Sequence, residues 1–167
     1  VVGLTQGMQP IVGYNFGAAR YDRVRQALNK ALIAGVSIMT VGWLVNELFP
    51  QHIVAMFSDD AELNNLAQFG IRISCLMFPL VGAQIIITNF FQSIGKAQIS
   101  IFLSLARQLL FLIPLLFILP RYFGITGVWS SMPVADFIAF VAAALTLRWY
   151  VKKMKRNDSA VLVNKNL

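Results

Sequence analysis

Between Lys30 and Tyr150 the sequence carries four apolar segments, each long enough to cross a bilayer as a helix, and no other feature narrows the fold so sharply. A helix rising about 1.5 Å per residue needs about 20 residues to cover a hydrocarbon core of roughly 30 Å. The segments run over 30–50, 66–93, 99–119 and 125–150. A fifth, over 1–16, is read as a truncated span, since Val1 to Gly13 is too short to cross; the chain is therefore expected to be a fragment that begins inside a membrane helix. The opening helix is expected to run out into a basic loop carrying Arg20, Arg23 and Arg25. Later spans are separated by Ser58-Asp59-Asp60-Ala61-Glu62, by a tight turn at Ile94-Gly95-Lys96-Ala97 and by a loop at Arg121-Tyr122-Phe123-Gly124. Pro79 with Gly82, Pro114 and Pro133 lie inside spans and predict kinks, because proline removes a backbone donor and crowds the preceding turn. The expected architecture is an all-α integral membrane bundle over 1–155 with a polar cytoplasmic tail over 156–167, disordered at its end.

Composition agrees. Hydrophobic residues make up 57% of the chain and charged residues 13%, against about a quarter charged in ordinary soluble domains. A net charge of +7 would suggest nucleic acid in a soluble protein, so the placement of the charge decides. With simple alternation of the spans, Arg20, Arg23, Arg25, Lys30, Lys96, Arg148, Lys152, Lys153, Lys155, Arg156 and Lys165 share one side. The other side holds Arg121 with Asp59, Asp60 and Glu62. By the positive-inside rule the first side is the cytoplasm, which fits a bacterial inner membrane and leaves nucleic acid without support. A single cysteine, Cys75, and a single histidine, His52, exclude a disulfide framework and a Cys/His metal site. No nucleophile, base and orienting group cluster, and no phosphate loop appears, so no catalytic residue is assigned and no enzyme is expected.

What functional information there is lies in polar residues inside the spans. Gln6, Gln9 and Asn15 mark the opening helix; Gln84, Thr88 and Gln92 recur every four residues in the second complete span, with Asn89 beside them; Ser100, Ser104, Arg107 and Gln108 follow in the third. These stripes are read as lining one shared water-accessible space, although interhelical hydrogen bonds of ~0.6 to 2 kcal/mol each explain them as well. Asp136 lies roughly 16 Å below the outer end of its span and Arg107 roughly 12 Å above the inner end of its own. Both sit near mid-membrane on consecutive spans and are expected to pair. An ionised group there costs at least ~2.5 to 3.5 kcal/mol on insertion scales, so such groups face a bundle interior or a cavity. Asp136 is the candidate for binding the coupling ion or proton and Arg107 its partner; a static structural pair is the alternative. Glu47 and Arg72 are read as interfacial, with a pair between them open.

Several separated motifs add a resemblance. Gly3-Leu4-Thr5-Gln6-Gly7-Met8-Gln9-Pro10-Ile11-Val12-Gly13-Tyr14-Asn15-Phe16-Gly17-Ala18 with Tyr21-Asp22-Arg23-Val24 comes first. Then come Phe91-Gln92-Ser93-Ile94-Gly95-Lys96, Arg107-Gln108 with Pro114, and Gly124-Ile125-Thr126-Gly127-Val128-Trp129 with Pro133 and Asp136. In this order they resemble the second half of multidrug and toxic compound extrusion (MATE) transporters, from about Gly3 to Lys153. The resemblance implies a twelve-helix protein of two six-helix lobes around a central cavity, monomeric when complete, of which this chain would supply the end of helix eight and helices nine to twelve. It implies an antiporter that exports small organic, often cationic, compounds against an inward flow of Na⁺ or H⁺ by alternating access, with no other cofactor. The expected partners are the substrate, the lipid bilayer and the absent N-terminal lobe. Two rivals remain. A lipid-linked oligosaccharide flippase of the same broad superfamily needs a basic cavity for a pyrophosphate, whereas only Arg107 lies well inside; a noncatalytic membrane scaffold has no use for a mid-membrane carboxylate.

Overall fold

The computed structural model describes residues 1–56 and 60–165, except for the side chains of 61, 62 and 155–165. Asp59 and the side chains of Glu62, Lys155, Arg156 and Lys165, which entered the count of charges above, lie outside the described residues, as does the end of the tail. Helices follow in the order α1 (Val2–Gly17), α2 (Tyr21–Leu48), α3 (Pro50–Ala55), α4 (Ala61–Ser74), α5 (Phe78–Ser93) and α6 (Ala97–Leu105). A π-helical segment, Ala106–Leu112, and α7 (Ile113–Lys165) complete the chain. No break in the backbone marks the boundary between span and tail expected near 155, since α7 continues past it.

The basic loop expected after α1 is mostly helix. Only Ala18, Ala19 and Arg20 connect α1 to α2, so Arg23 and Arg25 sit in the first turns of α2. The turn is a left-handed cap: Ala19 has φ 55°, and the Arg20 N–H donates to the Asn15 carbonyl at 2.9 Å. Asp22 in the first turn complements the positive helix end and ties Arg25 down at 2.6 Å. The same cap closes α5, where Gly95 has φ 74° and the Lys96 N–H donates to the Phe91 carbonyl at 2.8 Å. Glycine suits that position because it has no Cβ to strain.

The centre of the bundle is the crossing of α2 and α5. A Cβ added at Gly82 would stand 2.7 Å from Met39 Cγ and 3.0 Å from the Gly35 carbonyl oxygen, and one added at Gly35 would collide with the Ile86 side chain. Small residues on both helices thus let the backbones approach, which is how helices associate when lipid removes the hydrophobic drive between them. Ile86, Ile87, Phe90 and Phe91 fill the space around the crossing together with Met8, Val12, Val24 and Leu28.

The long second span is broken rather than kinked at its proline. Helix α4 stops at Ser74, α5 starts at Phe78, and the two are bent by 47°. Pro79 lies in the first turn of α5, where a missing N–H leaves no helical bond unmade, and Gly82 serves the contact with α2 instead of a bend.

The last two spans form one antiparallel hairpin. Residues 97–154 read as one apolar helical stretch, but Gly124, with φ 56° and ψ −136°, reverses it. Ser131 Oγ then donates to the Leu115 carbonyl at 3.1 Å, and Gly127 packs so closely that a Cβ would strike the Leu119 carbonyl. The four-residue loop expected at 121–124 is therefore helical through Phe123, and the turn rests on Gly124 alone.

The helix ends sort into two groups. Val24, Ile94, Tyr150 and Met154 belong to one cluster, which gathers Arg25, Lys96 and Arg148 at one end of the bundle. At the opposite end Glu47 pairs with Arg72 at 3.0 Å, and the Trp129 ring lies over Gly70 and edge-on to Phe69. Between these ends the outer surface is mostly apolar, with Ile33, Val41, Leu110 and Phe117 exposed, as a bilayer-facing surface requires.

Candidate functional site

Arg107 and Asp136 meet where the hairpin packs on itself. Arg107 Nε donates to Asp136 Oδ1 at 2.6 Å; the carboxylate side chain is 8% exposed and the guanidinium 35%. Arg107 stands in the π-helical segment, in which the Ile113 N–H returns to the Gln108 carbonyl five residues back. The wider turn alters the direction in which Arg107 projects, and such turns occur frequently at functional sites. Pro114 follows directly and has no N–H for the Leu110 carbonyl, so the regular ladder is interrupted there in any case. On the other wall Ala135 and Ala139 are buried beside Asp136, and Ser131, fully buried, satisfies itself on the Leu115 and Gly127 carbonyls.

The other polar residues singled out above do not come together in one place. Asn15 lines a groove of about 880 Å³ between α1 and α2, along with Arg23, Gln26 and Lys30. Its Nδ2 donates to the Ile11 carbonyl at 2.8 Å, while its Oδ1 is buried with no partner. Gln84 is 3% exposed and its Oε1 is likewise unpartnered. A buried polar atom without a hydrogen bond costs about 1–3 kcal/mol, so these two oxygens are places in the bundle where a donor is missing. Thr88 is buried, and Asn89 and Ser93 bond back to the carbonyls of Ile85 and Asn89 at 2.9 and 2.7 Å. Gln92 lies at a cavity of about 370 Å³ shared with Ser100 and Ser104. Gln9 is half-buried, and Gln6, Gln92 and Gln108 are exposed. Within this chain alone the three polar faces do not close around one space. Helical spacing gives each stripe, but neighbouring helices decide which way it points, and of the residues in these stripes Asn15, Gln84, Thr88 and Ser100 are buried, as is Asp136. Among the described residues no three His, Cys, Asp or Glu side chains gather around a point where a metal ion would sit.

The family model described as MatE matches residues 1–118. The chain belongs to the MatE family. Among curated relatives, the multidrug export protein MepA of Staphylococcus aureus (strain MSSA476) is 27% identical over 146 residues, which is 87% of this chain and 32% of the relative. MepA of Staphylococcus haemolyticus (strain JCSC1435) is 28% identical over 143 residues, 85% of this chain and 31% of the relative. Of solved structures, the MATE multidrug transporter DinF-BH, solved as a complex, aligns with a TM-score of 0.83 at 37% identity, covering 88% of this chain and 33% of that one. An outward-facing MATE family transporter of the MOP superfamily aligns with a TM-score of 0.86 at 19% identity, covering 93% of this chain and 35% of that one. The chain therefore spans about a third of the length of the relatives it matches. Membership in the MatE family makes it a multi-pass plasma-membrane protein and not an enzyme.

Proposed function

We propose that the protein exports small organic compounds, often cationic, in exchange for Na⁺ or H⁺, and that the Arg107–Asp136 pair takes part in the coupling. The carrying observation is that pair: a carboxylate held almost dry at 2.6 Å from a guanidinium, inside a family of exporters. In a low-dielectric interior a pair of this kind adds little to stability over apolar residues of the same volume. Its use lies in exchange. A proton or a cation arriving at Asp136 competes with Arg107 for the same oxygens, and each outcome favours a different placement of the guanidinium. A ligand shifts a conformational equilibrium only by its differential affinity for the two states, and swapping partners at Asp136 supplies such a difference.

Alternating access by rigid rocking of lobes has support of its own. This chain fits an outward-facing MATE family transporter with a TM-score of 0.86 and an inward-facing one with 0.85. A unit whose fold is alike in both states is what rigid rocking of lobes requires. The orphaned oxygens of Gln84 and Asn15 are acceptors suited to donor groups of a substrate or of an adjoining helix.

The test is cation-coupled efflux in cells expressing the complete protein with Asp136→Asn, with Na⁺ and H⁺ gradients imposed separately. Loss of coupling to one gradient is expected. Coupling unchanged from wild type under both gradients removes Asp136 from the role.

A further inference from the structure

A second cavity, of about 610 Å³, lies between α2, α5 and α7, and neither Arg107 nor Asp136 lines it. One end is basic and polar: Arg25 and Asn29 from α2 and Arg148 from α7. The rest is apolar, walled by Leu32 and Val36, by Ala83 and Ile87, and by Phe140 and Ala144. From Arg25 to Val36 the cavity extends eleven residues along α2, or roughly 16 Å, which is half of a hydrocarbon core of roughly 30 Å. It therefore starts at the basic end of the bundle and stops at mid-membrane, the reach of one leaflet. Its small side chains, Ala83 and Ala144, keep the furrow open where larger residues would fill it.

We infer that this furrow binds an anionic phospholipid of the cytoplasmic leaflet, with the phosphate at Arg25 and Arg148 and one acyl chain along Leu32, Val36, Ile87 and Phe140. The charges fit. Arg148 makes no ion pair among the described residues. Arg25 gives one nitrogen to Asp22 at 2.6 Å, but a guanidinium has five N–H donors in a fork, so others remain for a phosphate. Asp22 is itself well exposed and only partly offsets this charge. Lys153, held over the Trp149 ring at 5.5 Å, does not line the furrow and serves as an off-site cation. Basic pockets between membrane helices on the cytoplasmic side bind anionic head groups in general, and the apolar depth below these arginines selects a lipid over a soluble anion.

The test is native mass spectrometry of the delipidated chain titrated with phosphatidylglycerol, phosphatidylcholine and glycerol phosphate. A preference of about tenfold for phosphatidylglycerol over phosphatidylcholine is expected, each arginine contributing roughly a factor of five and Asp22 offsetting part. The double variant Arg25→Gln/Arg148→Gln should bring phosphatidylglycerol down to the level of phosphatidylcholine, and Ala144→Trp, which fills the furrow, should weaken both lipids alike. Helical circular dichroism of each variant establishes that it is folded. Equal binding of the two lipids by the parent chain overturns the inference, as does retained preference in the double variant or undiminished binding in Ala144→Trp. Glycerol phosphate binding as tightly as phosphatidylglycerol overturns it in favour of a soluble-anion site. A control, Lys96→Gln/Lys153→Gln, should leave most of the preference in place; its complete loss there would mean diffuse attraction to a basic surface and overturn the furrow as the site.

Discussion

The α2–α5 crossing and the hairpin formed by α6, the π-helical segment and α7 are both helix contacts inside a membrane bundle, yet they are built from opposite materials. At the crossing, Gly35 and Gly82 bring two regular helices together, and Ile86, Met39 and Phe90 close around them with no charged group involved. The hairpin holds an ion pair, a buried serine bonded across the turn, a widened helical segment and a glycine with positive φ. Close packing of small residues is enough to hold helices together in lipid, so the polar outlay of the hairpin is not needed for cohesion. Under the proposed coupling, it is the part of the chain whose arrangement responds to the ion.

The sharpest way to break this contrast is to remove one member of the pair. Asp136→Ala leaves a guanidinium at mid-membrane depth and is expected to destabilise the chain by about 3 kcal/mol, the low end of the range for a broken buried pair because Arg107 is about a third exposed. Replacing both residues, Asp136→Leu with Arg107→Leu, should restore most of that loss while leaving transport impaired. Thermal loss of helical ellipticity in detergent reads the first effect. A double variant as unstable as the single one would show that the pair holds the hairpin together. Next in size is Gly82→Leu, which drives a side chain into Met39 and the Gly35 backbone; overpacking of this kind costs typically about 1–3 kcal/mol. No change in melting there would mean that the crossing is not close-packed. The smallest effect belongs to Glu47→Gln at the opposite end. The Glu47–Arg72 pair is at 3.0 Å but well exposed, so its loss should cost under about 1 kcal/mol and shrink further at high salt.

The hairpin and the crossing also differ in how far the amino-acid order announces them. Depth is legible because the rise per residue is constant: counting from the span ends brings Arg107 and Asp136 to one level, and their separation in the structure is 2.6 Å. Spans of sufficient length are legible for the same reason. Direction is not, and that is why Gln6, Gln92 and Gln108 lie exposed although each shares a polar stripe with buried residues. The identity of a helix's neighbours, which fixes the face it turns inward, is a tertiary property. Breaks are half legible. Pro79 signals that something interrupts the second span, but not that the interruption falls at Cys75–Met77, since proline is as well placed starting a helix as bending one. The start of α2 at Tyr21 is hidden by three arginines in six residues, which read as loop and which a helix N-terminus disfavours, until Asp22 is seen to offset both Arg25 and the helix end. The π-helical segment has only Pro114 as a signal. It coincides with the residue, Arg107, that pairs with the next helix.

The reversal at Gly124 has one more consequence. A single residue joins two long helices, so neither can slide far along the other without unravelling its own end. Under the proposed coupling, then, Asp136 is reached by the arginine letting go, a side-chain swing on a pair of rods that keep their register.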